Sequence, residues 1–380
     1  MNLRALVLIN IVLSFILINL GGLVHNSGAS LACPDWPLCY GQIMPRMEGG
    51  ILIEHSHRML ASLVGFLSII IVFLSFRINH VNKNQIIKFS WISLALVIFQ
   101  GLLGGLTVIF KLPTIVSTLH LATSMIYILS LVYLHHISSV FKIEEDDKVE
   151  KGWNFSSKFL ALSAIAVTYF QIVLGATMRH LGLGGACGVG KENMVSCFDV
   201  VAFARFWFPE SAQAQLHMSH RYLGMFLGLF LLFLVFWVFK TAFSISKSPL
   251  SKKLKIFSFI IGFAVLGQIY LGMKTVATNI GEVVTTLHLG VAALILIFLF
   301  KLLLTLYKAE EELNLTKTSY IQDLMSLTKP RLSGLVIFTA ALGIFLAPGE
   351  ISFFKALISL VSTSLIVAGA CVINCYTERE

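Results

Sequence analysis

Runs of about 18 or more apolar residues, nearly free of charge, recur along the chain, and each can cross a hydrocarbon layer of roughly 30 Å as a helix. They fall at approximately 5–24, 59–76, 89–110, 115–134, 159–178, 222–239, 256–273, 283–300, 332–347 and 352–373. The runs are continuously apolar, where barrel strands would alternate over about ten residues, and a helix satisfies its own backbone hydrogen bonds in lipid. The pattern therefore predicts an all-α polytopic membrane protein. The first run follows Arg4 and is too long for a cleaved signal peptide, so it reads as a retained helix.

Composition points the same way. Hydrophobic residues make up 57% of the chain and charged ones 12%, with a mean hydropathy of +0.86, more apolar surface than a soluble fold of this length could bury. When the connections are assigned alternately to two sides, one side collects Arg4, Arg77, Lys83, Lys88, Lys142, Lys148, Lys151, Lys240, Lys247, Lys252, Lys253, Lys255, Lys308, Lys317, Lys329 and Arg331. That side reads as cytoplasmic. The expectation is a multi-pass inner-membrane protein with a cytoplasmic N terminus and two long outer connections, 25–58 and 179–221. The net charge of +9 is then a topology signal and gives no reason to invoke nucleic acid.

The chain also repeats itself. QGLLGGLTVIFKLPTIVSTLHLATSM (100–125) lies over QIYLGMKTVATNIGEVVTTLHLGVAA (268–293), HSHRMLASLVG (55–65) over MSHRYLGMFLG (218–228), and LGGLVHNSG (20–28) over LGATMRHLG (174–182). Four helices are duplicated, and an even number per unit inserts both copies with the same orientation, so the repeat predicts an eight-helix bundle of two four-helix halves about a pseudo-twofold axis along the membrane normal. The expected domains are an N-terminal half at 1–138, a cytoplasmic linker at 139–158 with its acidic run from Glu144 to Asp147, a C-terminal half at 159–308, a linker at 309–330, and two further transmembrane helices in 331–380.

Four histidines occupy matched positions in the repeat: His57, His120, His220 and His288. Ionisable residues in membrane helices are costly and functional by default, and two imidazoles at equal depth on separate helices are the ligand set of a b-type haem. One site per half follows from the duplication. The spans put His57 and His220 at the start of the second and sixth helices. Interfacial histidines bonded to backbone or headgroups remain the bland alternative, and a mononuclear copper or zinc site, with an outer-loop cysteine as third ligand, a further one. Arg58 and Arg221, each directly after a ligand candidate, suit either haem propionates or headgroup anchoring. Three residues before the matched histidine the halves differ, with Glu54 in the first and His217 in the second. A carboxylate beside one site alone suggests that the first half does chemistry, although an acid in a first helical turn also favours the helix dipole. Of six cysteines, Cys33, Cys39, Cys187 and Cys197 lie in the outer connections, where disulfides persist. The expected pairs are Cys33 with Cys39 and Cys187 with Cys197, with free or buried thiols the alternative.

On the outer-loop pattern Cys-Pro-Asp-Trp-Pro-Leu-Cys (33–39), the Glu54–His57-Arg58 element, Thr118-Leu119-His120, Ser219-His220-Arg221 and Thr286-Leu287-His288, residues 1–308 resemble the haem A synthases of bacteria and mitochondria. That resemblance implies haem O as substrate facing His57 and His120, a haem b cofactor ligated through its iron by His220 and His288, and Glu54 as the catalytic carboxylate. The implied reaction oxidises the C8 methyl group of haem O to a formyl group through an alcohol, serving haem A biosynthesis and cytochrome oxidase assembly. It leaves the electron acceptor, the number of copies in an assembly and the role of the Cys33/Cys39 pair open. Residues 323–380 resemble the beginning of protohaem farnesyltransferase, the haem O synthase, through Leu327-Thr328-Lys329-Pro330-Arg331 and Gly369-Ala370-Cys371-Val372-Ile373-Asn374-Cys375-Tyr376. The expectation there is a fused, truncated two-helix piece, inactive alone, with haem O synthase as a functional partner. The rival reading of the whole chain is a dihaem b-type electron-transfer protein without chemistry of its own. Such carriers stack haems near opposite faces, whereas both pairs here fall on the outer side.

Overall fold

The computed structural model describes residues 2–139, 156–191, 211–244, 249–312, 328–346 and 353–377. Ten α-helices lie among them: α1 (Leu3–Asn26), α2 (Gly49–Ser75), α3 (Lys83–Ile109), α4 (Thr114–Ile137), α5 (Ser156–His180), α6 (Ala212–Ser244), α7 (Pro249–Ala277), α8 (Glu282–Glu312), α9 (Pro330–Leu346) and α10 (Phe353–Thr377). No β-strand occurs among the described residues. Eight helices, α1 to α8, are long and apolar enough to cross a membrane, and the chain is a polytopic helical membrane protein.

Two compact units form, one of Met1–Gly152 with Ser157–Leu313 and one of Trp153–Ser156 with Asn314–Glu380. Within the first, α1 packs on α2, α4 and α8, α4 on α3 and α8, and α7 on α6 and α8. Ile18 of α1, Met125, Ile128 and Val132 of α4, Ile172 of α5, and Ala293, Leu296 and Ile297 of α8 share one buried cluster. The two repeats therefore meet through their first and last helices. In the second unit α9 packs on α10, and these two helices coincide with the last two predicted spans.

The repeat is legible in the turns as well as the helices. Lys111 and Leu112 (φ 56° and 62°) close α3, and Asn279 and Ile280 (φ 55° and 60°) close α7. In both places the second left-handed residue donates its N–H back to the helix, from Leu112 to Thr107 (2.7 Å) and from Ile280 to Thr275 (2.8 Å). This is the six-to-one bond that satisfies a carbonyl at a helix end.

Two helix starts differ from the spans read from hydropathy. α2 begins at Gly49 and α6 at Ala212, so His57 and His220 lie two turns inside their helices instead of opening them. The polar residues preceding the apolar runs hid these turns. They are helical because Glu54 and Arg58 on α2, and His217 and Arg221 on α6, bond to each other at i, i+4 spacing.

Candidate functional site

The four matched histidines stand at the end of the bundle that carries the Cys33–Cys39 disulfide. Each ring lies against a glycine of the preceding helix. A Cβ built on Gly21 would meet His57 Cε1 at 2.9 Å, one on Gly104 would meet His120 at 3.4 Å, one on Gly175 would meet His220 at 2.7 Å, and one on Gly272 would meet His288 at 3.1 Å. His57 and His120 are near enough to act on each other electrostatically, and so are His220 and His288. The structure thus brings the predicted pairs together within each half.

The donor set suits a metal held between imidazoles. The Nδ1 atoms of His57, His120 and His288 are buried with no hydrogen-bond partner, an arrangement that costs about 1–3 kcal/mol per polar group unless the ring is used otherwise. Two imidazoles per half in an apolar bundle, each ring seated against glycine backbone, are the donor set that a haem in each half would use.

Glu54 is buried, not in the first turn of α2. Its Oε1 accepts from Arg58, and its Oε2 accepts the Cys33 N–H at 2.8 Å. Arg58 also donates to the carbonyls of Asp35 (2.6 Å), Leu38 (2.5 Å) and Cys33 (3.1 Å). Both terminal nitrogens of Arg58 are therefore spent on the disulfide-closed loop and Glu54. In the second half the matched positions keep the plan with different chemistry. Arg221 Nε donates to His217 Nε2 (2.9 Å), and His217 Nδ1 faces the carbonyl of Leu183 (3.2 Å), the first residue of a short 3₁₀ turn.

The loop between α1 and α2 is tied down along its length. Cys39 and Gln42 exchange backbone hydrogen bonds, and Asp35 accepts the N–H groups of Tyr40 (2.6 Å) and Gly41 (2.8 Å). These bonds, the Gly41 one first, hold the Asp35 carboxyl below the usual carboxylate range, with Arg58 adding to the effect. The Trp36 ring sits on Gly105, whose absent Cβ would approach it to 2.8 Å. The loop therefore reaches from α2 to α3, next to the glycine that faces His120.

Several participants were not legible as such. A ring nitrogen of His55 and the sulfurs of Cys33 and Cys39 lie within 4.8 Å of one another. The sulfurs are bonded to each other, and His55 has no matched partner, since the second half has Met218 there. Gln171 Nε2 contacts His220 Nδ1 (3.1 Å) and Gln268 Nε2 contacts His288 Nε2 (3.3 Å). A lone amide inside an apolar span was the available signal for Gln171. Between the halves, Asn26 links Arg179 (3.1 Å) to Thr286 (3.0 Å), and the rings of His25 and His180 meet edge to face at 4.4 Å. Cys187 is disulfide-bonded, while Cys197, its expected partner, lies outside the described residues.

Fold and site together define a duplicated helical membrane protein with one histidine pair per half. The sequence model of the family described as cytochrome oxidase assembly protein matches residues 4–210 and 208–353, and the chain belongs to that family. The second match runs past α8 into α9 and beyond its end. The chain is 31% identical over 292 residues to the haem A synthase of Shouchella clausii (strain KSM-K16), covering 74% of this chain and 88% of that protein. It is 28% identical over 288 residues to the haem A synthase of Alkalihalophilus pseudofirmus, with 74% and 89% covered. To the haem A synthase of Shewanella oneidensis it is 27% identical over 333 residues, with 79% and 95% covered.

Proposed function

We propose that this chain is a membrane-bound haem A synthase that oxidises the C8 methyl group of haem O to a formyl group through an alcohol. The observation that carries the reading is the asymmetry at matched positions: a buried carboxylate, Glu54, one turn before His57 in the first half, and His217 before His220 in the second. In this reading His57 and His120 hold the substrate haem O, and His220 and His288 hold a resident haem b. Haem b supplies one-electron redox capacity when bound.

The chain's own residues do the rest. Each imidazole pair orients a macrocycle between two helices. Converting the methyl group to a formyl group takes its oxygen atom from one water molecule and releases four electrons to the acceptor and four protons, and a carboxylate at that place takes up protons or stabilises developing positive charge. Glu54 is held for this by Arg58 and the Cys33 N–H. The disulfide-closed loop, spanning α2 to α3 above His57 and His120, keeps bulk water from that mouth. The disulfide supports placing this end on the outer side, with the N terminus cytoplasmic. An electron acceptor is required. Residues 323–380 belong to this reading as a piece related to protohaem farnesyltransferase, the enzyme that makes the substrate.

Pigment extraction from the purified chain tests the proposal. Haem b together with haem O, its alcohol or haem A is expected. Haem b alone, in cells that make haem O, would favour a dihaem carrier without its own chemistry.

A further inference from the structure

A haem carries propionate carboxylates as well as iron, and the arginines that directly follow the matched histidines have other duties. Each terminal nitrogen of Arg58 makes two hydrogen bonds, one to the Asp35 and Leu38 carbonyls and the other to Cys33 and Glu54. Arg221 Nε is bonded to His217. A different arginine stands over the second-half site.

The repeat shows where it sits. Gly21 and Gly175 are matched, and each backs a histidine ring: a Cβ would meet His57 Cε1 at 2.9 Å from Gly21 and His220 Cε1 at 2.7 Å from Gly175. Four residues further along their helices come His25 and Arg179. Residues i and i+4 share a helix face, about 6 Å apart along the axis. Arg179 therefore rises from the wall of α5 that carries the His220 ring, one turn nearer the end of the helix. His25 holds the same place over His57, with its Nε2 buried and without a partner.

The guanidinium of Arg179 is aimed by its neighbours. Its Nε donates to Asn26 Oδ1 at 3.1 Å, and Asn26 Nδ2 donates to the hydroxyl of Thr286 at 3.0 Å, two residues before His288 on α8. With Nε committed, the terminal amino groups meet no acceptor and no carboxylate pairs with them among the described residues. A half-buried guanidinium without a counter-charge suits an anion from outside the protein, and its planar fork fits a carboxylate.

We propose that Arg179 is the carboxylate anchor of the second-half site: its terminal amino groups pair with a propionate of the haem held by His220 and His288. The proposal rests on the haem reading above. The first half has no permanent charge at this position, because His25 replaces the arginine.

The test measures loss of haem b from the full-length purified chain to excess apomyoglobin, and the midpoint potential of the bound haem. Arg179→Gln and Arg179→Leu are expected to speed the loss by about 10–100-fold, the range of a hydrogen bond to a charged group. They are also expected to lower the potential, since an unpaired propionate charge favours ferric iron. The same chains reloaded with the dimethyl ester of haem b, which lacks the carboxylate charge, should release it at the rate of the reloaded wild type. Arg179→Lys keeps a charge and should fall between. Variants that purify without haem b yet hold the ester like wild type also support the anchor. Equal acceleration for acid and ester would make Arg179 a packing residue and overturn the proposal. Wild-type loss of haem b from both neutral variants, with haem b absent from His220→Ala, would overturn it while leaving the haem reading intact; a fall in copurifying phospholipid would then assign the guanidinium to a lipid phosphate. Haem b retained in both His220→Ala and His288→Ala would overturn the haem reading and this proposal together.

Discussion

Glu54 and Arg58 stand one helical turn apart on α2 and form a buried ion pair, their side chains only 4% and 12% exposed. The pair faces the loop closed by Cys33 and Cys39, and the loop's backbone supplies the remaining partners of both side chains. A proposed catalytic group, its counter-charge and an external disulfide therefore form one connected unit.

The connection makes Arg58 a clamp as well as a counter-charge. Arg58→Ala leaves Glu54 buried without its cation, a change that costs about 3–5 kcal/mol for buried pairs. The loop is expected to open more often, read as faster reduction of Cys33–Cys39 by a water-soluble phosphine. A reduction rate equal to wild type would show that the loop holds without the guanidinium.

Glu54→Gln separates the two duties of the carboxylate. The amide oxygen still accepts the Cys33 N–H, while the charge and proton-accepting ability go. Haem content is expected to survive and turnover to fall by about 10²–10⁴-fold, with haem O or its alcohol accumulating. His217→Gln, the matched change, should leave oxidation largely intact. Normal haem A yield from the Glu54 variant, judged by chromatography of extracted haems, would remove its catalytic assignment.

Replacing His220 or His288 by Ala is expected to abolish the low-spin b-type spectrum, whereas His57→Ala and His120→Ala should keep it and lose turnover. A b-type spectrum that disappears only in the first-half variants would reverse the division of labour.

Gly175→Ala puts a methyl 2.7 Å from His220 Cε1, closer than any real carbon contact, so ring or helix must move. Overpacking of this kind costs about 1–3 kcal/mol. The expected result is reduced haem b content with the first-half site unaffected; full haem b content would mean that the ring has another position to occupy.

Asp35 gives the loop a pH dependence with a defined sign. Its carboxyl titrates below the ordinary value of 3.8 because the charged form accepts the Gly41 and Tyr40 N–H groups. A depressed acid stabilises the folded loop above its unfolded value, and that contribution disappears as pH falls through the lower folded value. Hydrogen-exchange protection of Tyr40 and Gly41 should persist at neutral pH and vanish in strong acid. Asp35→Asn should weaken it at neutral pH and remove its pH dependence; equal protection in wild type and variant at neutral pH would assign closure to the disulfide alone.

Apolar runs and their internal repeat determined the helices, their number and the four matched histidines, because a membrane span needs little beyond length and hydrophobicity and a duplicated unit repeats its chemistry at a fixed offset. The sequence also exposed the Glu54/His217 asymmetry. It could not reveal that α2 and α6 start well before their apolar runs, since polar residues such as Glu54 and Arg58 carry no hydropathy signal and are satisfied by each other and by the backbone of the preceding loop. Nor could it tell Gln100 from Gln268, which occupy the same place in the repeat. In the structure the Gln100 amide meets the Thr123 hydroxyl and the Gln268 amide meets the His288 ring, a difference that appears only when neighbouring helices are packed together.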